Sequence, residues 1–149
     1  MLVTRLRLVL LLTAAMLAVP AVFAAAAAAQ TIHVVERATT DAVTNGSEED
    51  ALGNLLTWHN KVYDAKNKRQ VGYDAGYCVR TLVGKSWECS WSTYLRAGAI
   101  MVQGPFSDTG SSVLAITGGT GAYADAQGTM TLKYHNKAGT AFDFIFHLR

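Results

Sequence analysis

The sequence predicts an all-β domain, a single antiparallel barrel of eight strands that follows an N-terminal signal peptide. Three observations predict it. Apolar and polar residues alternate along much of residues 30–149, glycine and small polar residues interrupt that alternation at short intervals, and helical periodicity is weak. The stretch Val102–Leu132 alternates, breaks at glycine-rich turns and alternates again. Strands with one apolar face each can close into a barrel, which removes exposed sheet edges.

The first 29 residues are predicted to be a secretory signal peptide. They carry two arginines near the start, then an apolar run, and Ala27 and Ala29 have the spacing of a cleavage site. The alternative is a retained membrane anchor, because Leu8–Ala29 is almost entirely apolar. Pro20 and the Ala-x-Ala ending favour cleavage. We therefore expect a signal peptide at 1–29, a barrel domain at 30–149, and export to an extracellular or periplasmic location.

The charge of the remaining chain is balanced. The whole chain has 13 basic and 11 acidic residues, and loss of Arg5 and Arg7 would leave 11 of each. No basic surface for nucleic acid is predicted, and we expect no membrane contact after signal cleavage.

Eight strands are predicted from the alternation and the turn residues. They are Thr31–Ala38, Leu55–Asn60, Arg69–Leu82, Ser86–Leu95, Ala99–Phe106, Ser112–Thr117, Gly128–His135 and Thr140–Leu148. Aromatic residues recur on one face of several strands, as Phe142, Phe144 and Phe146 do in the last. They are interpreted either as packed core or as the lining of a site, because an eight-stranded barrel has room for side chains or for one small ligand.

The two cysteines, Cys78 and Cys89, are predicted to form a disulfide. An even number of cysteines in an exported chain favours a bridge. The segment Val83–Lys85 is a turn candidate, and a hairpin centred there places the cysteines opposite each other. The alternative is two separate thiols.

Four segments in order resemble the allene oxide cyclase family and its dirigent relatives. They are Val34–Arg37, Leu52–Tyr63, Ala75–Val79 and the glycine-rich stretch from Gln103 to Gly121. The resemblance implies an antiparallel eight-stranded barrel, often a trimer, with a lipophilic small molecule inside. Plant members cyclise an unstable epoxide fatty acid, dirigent relatives steer the coupling of phenoxy radicals, and related bacterial barrels fold polyketides into rings. These reactions have one physical requirement in common, which is that the barrel confines a reactive molecule in one conformation.

The resemblance also implies roles for individual residues. Glu36 aligns with a pocket glutamate that assists epoxide opening. The alternative interpretation of Glu36 is a surface residue beside Arg37. Asn60 aligns with a pocket asparagine that holds a water or a substrate oxygen, and the alternative interpretation of Asn60 is a turn residue. Cys78 aligns with a pocket cysteine that is a free thiol in the plant enzymes, whereas here Cys78 is expected to form a disulfide with Cys89. Glu36 and Asn60 are thus the candidate catalytic residues.

The candidate substrate-binding residues are mostly aromatic: Trp58, Cys78, Trp87, Trp91 and Phe106. Three positions depart from the family pattern. Ala38 replaces an asparagine, Thr44-Asn45 replaces Ser-Pro, and Phe106 replaces a tyrosine. These departures remove groups that hold a catalytic water in the plant enzymes.

Three functions remain open from the sequence. The first is an exported cyclase or stereochemical guide, of isomerase type, that acts on a lipophilic small molecule. The second is a non-catalytic secreted carrier of an apolar ligand, which the three departures favour, and the third is a barrel packed solid. No cofactor is predicted, and no metal, because the four histidines lie on separate predicted strands. Ile116 and Ile145, expected to face outward, would permit a homotrimer or homodimer.

Overall fold

The computed structural model describes residues 29–44 and 50–149, and these form an all-β barrel. The predicted signal peptide, apart from its last residue, lies outside the described residues. The strands are β1 Gln30–Arg37, β2 Ala42–Thr44, β3 Leu55–Asp64, β4 Gln70–Leu82, β5 Ser86–Leu95, β6 Gly98–Ser107, β7 Ser112–Gly119, β8 Gly128–Tyr134 and β9 Ala141–Leu148. All eight predicted strands are present. The three-residue strand β2 was not predicted.

The barrel closes between its first and third strands. Every pairing is antiparallel, and the order β1-β9-β8-β7-β6-β5-β4-β3 returns to β1 through a β1–β3 pairing. Strand β3 pairs with β1 through Lys61–Asp64 and with β2 through Leu55–Thr57. The connection between β1 and β2, residues 38–41, therefore lies against the middle of β3, where the strand paired with β3 changes from β1 to β2.

Alternation along each strand sends one face into the barrel, as the sequence predicts. Phe142, Phe144 and Phe146 are all buried inside, whereas His147 is exposed. The expectation that Ile116 faces outward is wrong. It shares the inner face of β7 with Ser112 and Leu114, four and two residues before it, and is 6% exposed.

The two ends of the barrel differ. At one end, which we call the base, the connection between β7 and β8 contains a short 3-10 helix, Gly121–Tyr123. Tyr123 and Ala126 of this connection pack against the hydrophobic core and close the base. The opposite end, which we call the mouth, carries the β4–β5 hairpin and the connection between β6 and β7. Within residues 29–44 and 50–149, no helix has the length and apolar character to cross a bilayer.

The predicted disulfide between Cys78 and Cys89 is present. The two residues face each other across β4 and β5, and both side chains are buried in the barrel. The hairpin that aligns them turns at Gly84, whose φ of 66° is a conformation that glycine adopts without strain. The register of this hairpin therefore brings the cysteines together.

Replacing both cysteines, in the variant Cys78→Ala/Cys89→Ala, is expected to lower the free energy of unfolding by about 3 kcal/mol. The bridge joins residues 11 apart, so it removes a closed loop from the unfolded chain. Urea unfolding followed by circular dichroism measures the change. A loss below about 1 kcal/mol would show that the bridge contributes little to the stability of the barrel.

Candidate functional site

A small cavity lies inside the barrel, towards the mouth. Its volume is about 60 Å³. It is lined by Glu36, Asp41, Leu56, Trp58, Cys78, Cys89, Trp91, Phe106, Leu132, Phe142 and Phe144. The lining includes the exposed side chain of Asp41, from the connection between β1 and β2, so the cavity reaches the surface there.

The walls of the cavity are mainly aromatic. The rings of Trp58 and Trp91 meet edge to face at 5.8 Å, and Trp91 packs on Phe144 at 5.4 Å. Phe106 and Phe142 meet edge to face at 5.7 Å on the side nearer the mouth. Edge-to-face contacts of this kind hold the rings in fixed orientations. The disulfide and two leucines complete the apolar lining, and Glu36 and Asp41 are its two carboxyl groups.

Glu36 and Asp74 form a buried carboxyl pair. Glu36 is 5% exposed and Asp74 is fully buried. Burial, followed by the charge of Asp74, raises the pKa of Glu36 well above its ordinary value. Burial also raises the pKa of Asp74 to about 7, although hydrogen bonds from Trp58 and Glu36 oppose that rise. Both shifts therefore favour a proton on the pair.

Asp74 is fixed by the cavity wall. The indole Nε1 of Trp58 donates to Oδ2 of Asp74 at 2.7 Å. Oδ1 of Asp74 is buried and accepts no bond from any amide, hydroxyl or indole group in the described chain. A hydrogen bond between the carboxyl groups of Glu36 and Asp74 requires a proton on one of them. Holding one proton therefore lets the pair satisfy the buried Oδ1 of Asp74.

Asn60 positions this pair and the adjacent connection. Its Nδ2 donates to Oε1 of Glu36 at 2.7 Å and to Oδ1 of Asp41 at 2.6 Å. Its Oδ1 accepts from the backbone N–H groups of Thr39 and Thr40 and from the Thr40 hydroxyl. Asn60 is fully buried, so its amide is used within the protein and is not presented to a ligand.

The structure brings most of the candidate site residues together. Glu36 and four of the five candidate binding residues line the cavity. Trp87 does not line it; its ring lies under the guanidinium of Arg80, 3.9 Å from the ring centre. Asn60 lies behind Glu36. Cys78 contributes a disulfide sulfur to the wall, so a thiol there is not available.

Two carboxyl groups of the site, Asp74 and Asp41, were not identified from the sequence. Asp74 lies four residues before Cys78 on the same strand, and period-2 alternation places both on the inner face. The sequence therefore contained the information needed to identify Asp74 as a candidate, because alternation places this acidic residue on the inner face of a predicted barrel strand. Asp41 gave no such signal, because it lies in a connection and reaches the site through Asn60.

Comparison with known proteins agrees with this architecture. The family model described as allene oxide cyclase matches residues 28–145. Among solved structures, a pyocyanin demethylase superposes with a TM-score of 0.65 and 22% identity, covering 78% of this chain and 100% of its own. A pterocarpan synthase dirigent protein gives 0.65 and 15%, with coverages of 81% and 96%. AbnU, an exo-specific intermolecular Diels-Alderase, gives 0.63 and 13%, with coverages of 80% and 97%. The TM-scores show a shared barrel fold.

Proposed function

The chain belongs to the allene oxide cyclase family, and from this premise we propose that it is an exported barrel enzyme that isomerises or cyclises a lipophilic small molecule. The family and the similar barrels, among them a dirigent protein and a Diels-Alderase, support a barrel that acts on small molecules. The observation that carries the proposal is the buried carboxyl of Glu36, with its raised pKa, at the wall of an aromatic cavity.

Glu36 would act as a general acid. A carboxyl group whose pKa is raised holds its proton at neutral pH and can give it to a substrate oxygen as that atom gains charge. Asp74 would keep the proton on Glu36 before reaction. After the transfer both carboxyl groups would be charged, and their repulsion would favour the return of a proton from the reacting molecule to the pair, so that the isomerisation consumes no proton. The aromatic walls would hold the substrate in one conformation, so that one ring closure and one stereochemistry predominate in the product.

The variant Glu36→Gln is expected to slow turnover by about a hundredfold while leaving ligand affinity nearly unchanged. Glutamine keeps the size and the hydrogen bond with Asn60 but cannot donate a carboxylic proton. The substrate is first identified by mass spectrometry of small molecules released from the purified, unfolded protein. The rate of conversion of that compound is then compared between the two proteins.

The matched control is Glu88→Gln, because Glu88 is exposed on the outer face of β5. It should convert the compound at the wild-type rate. Equal rates for Glu36→Gln and the wild type would remove Glu36 from the mechanism.

The second candidate function is a secreted carrier of an apolar ligand. Ala38 and Phe106 lack the polar groups that the family pattern has at these positions, and the amide of Asn60 is used within the protein. A carrier needs the cavity but not the acid. Recovery of the bound compound chemically unchanged after prolonged incubation with the protein would favour the carrier over the enzyme.

Export and assembly are parts of the same proposal. The disulfide supports folding in an oxidising compartment. Tyr73 and Tyr94 stack at 4.6 Å on the outside of the barrel, both 39% exposed, and this surface could be shared between copies in a homodimer or homotrimer. Sedimentation equilibrium of the mature chain measures the assembly directly.

A further inference from the structure

Three carboxyl groups lie at the cavity without a neighbouring cation. Glu36 and Asp74 lie inside the barrel and Asp41 lies at the opening, with Asn60 bonded to both Glu36 and Asp41. In the described part of the chain, none of these three carboxyl groups forms an ion pair with Lys, Arg or His. Buried carboxylates are ordinarily paired, so a cluster with no cation at the wall of a cavity is complementary to positive charge.

The nearest basic residues in the sequence point away from the cavity. Arg37 and Lys61 each follow an inward-facing residue, so alternation directs them outward. The guanidinium of Arg37 lies 3.7 Å from the ring centre of Tyr63 and donates to Asn67. At the mouth, the buried Arg80 is paired with Asp108 and Asp50. Arg37 and Arg80 are thus engaged elsewhere, and Lys61 is directed outward.

Trp91 gives a second, independent observation. It is 4% exposed and lines the cavity, yet its indole Nε1 has no hydrogen-bond partner among the described residues. A buried N–H group without a partner costs free energy that a hydrogen-bond acceptor on a bound molecule would recover. This N–H group would therefore be satisfied by a ligand that carries a hydrogen-bond acceptor.

We propose that the cavity binds a planar aromatic cation, such as an N-alkylated heteroaromatic ring, that also carries a hydrogen-bond acceptor for Trp91. This inference rests on the proposed function, because it names the substrate class of the same cavity. The faces of Trp58, Trp91 and Phe106 would attract the charged ring, and the carboxyl groups would neutralise it in a site of low dielectric. At about 60 Å³ the cavity would hold the leading edge of such a ring, and the rest of the molecule would lie at the opening beside Asp41.

Two probes of the same shape test the charge preference. N-methylpyridinium and toluene differ in that a charged nitrogen replaces one ring carbon. Each is titrated into the ¹⁵N-labelled protein at pH 8, and the three indole N–H signals report binding. At this pH we expect N-methylpyridinium to bind at least about tenfold more tightly than toluene, with the largest shifts at Trp58 and Trp91. Its affinity should weaken towards pH 5.5, because protons and the cation compete for the same carboxyl groups, whereas that of toluene should stay constant.

The variant Glu36→Gln/Asp74→Asn removes the charge of the pair with little change of shape. The affinity for N-methylpyridinium is expected to fall at least about tenfold, and that for toluene to change less than about twofold. The control Glu88→Gln/Asp125→Asn makes the same chemical changes at exposed positions and should leave both affinities unchanged. Toluene binding to the variant also shows that its cavity is intact.

The outcomes separate this inference from the proposed function. If toluene binds as tightly as N-methylpyridinium, or if the preference for the cation survives in the double variant, the inference is overturned while a lipophilic ligand site stands. If neither probe moves the signals of Trp58 and Trp91, the cavity is closed to ligands, and both the inference and the proposed function fail.

Discussion

The free energy of unfolding is expected to fall by at least about 3 kcal/mol between pH 5 and pH 8 because of the buried carboxyl pair. Both carboxyl groups have a higher pKa in the folded protein than in the unfolded chain, so the fold is stabilised when they are protonated. For Asp74, this contribution is complete below its ordinary pKa of 3.8 and is lost as the pH rises through about 7. Glu36 acts in the same direction over a range that extends higher.

The double variant Glu36→Gln/Asp74→Asn isolates this contribution. Neutral amides do not titrate, so the variant should lose this part of the pH dependence and should be more stable than the wild type at pH 8. Urea unfolding at several pH values measures the difference between the two proteins. The control Glu88→Gln/Asp125→Asn should follow the wild-type curve. A wild-type curve parallel to that of the double variant would show that the pair titrates normally in the folded protein.

Replacing Asn60 with alanine is expected to cost about 4 kcal/mol of stability at pH 7. The substitution leaves Glu36 without its hydrogen bond from Nδ2, and it removes the acceptor of the backbone N–H groups of Thr39 and Thr40. Water can readily replace the lost acceptor of the threonines, which are exposed, but replaces the lost donor of Glu36 less easily, because Glu36 is 5% exposed. The connection between β1 and β2 should also detach from β3, because Asn60 holds Asp41.

The matched control is Asn136→Ala. Asn136 also bonds through its amide, to the backbone N–H and the hydroxyl of Thr140, but in an exposed turn. Its loss should cost less than about 1 kcal/mol. Urea unfolding of the oxidised proteins compares the two variants. If Asn60→Ala were no more destabilised than Asn136→Ala, the polar network around Glu36 would not be a stabilising part of the barrel.

The barrel strands could be predicted from the sequence because each has a buried and an exposed face. Strand β5 begins and ends where the alternation and turns place it, at Ser86 and Leu95. Strand β2 could not be found in this way, because all three of its residues are exposed and its pairing with β3 depends on the position of the connection before it. Ile116 was assigned to the wrong face although the predicted strand already placed it two residues from Leu114.

The candidate site was predictable in part. Glu36 was found through resemblance to a family, since its sequence neighbour Arg37 made it look like a surface residue. Its partner Asp74 is 38 positions away in the chain and becomes adjacent only when the barrel closes. The role of Asn60 depends likewise on three segments meeting. Such networks link distant positions, so periodicity along one strand gives the face of a residue but not its partners.

The antiparallel pairing of the first and last strands has a practical consequence for handling the protein. Gln30 faces Leu148 across β1 and β9, so both lie at the base, away from the cavity opening. A linker, a bead or a display scaffold attached beyond either residue would hold the barrel with its opening directed outward. Tethering by the N-terminal side or the C-terminal side should therefore give equivalent access to small molecules.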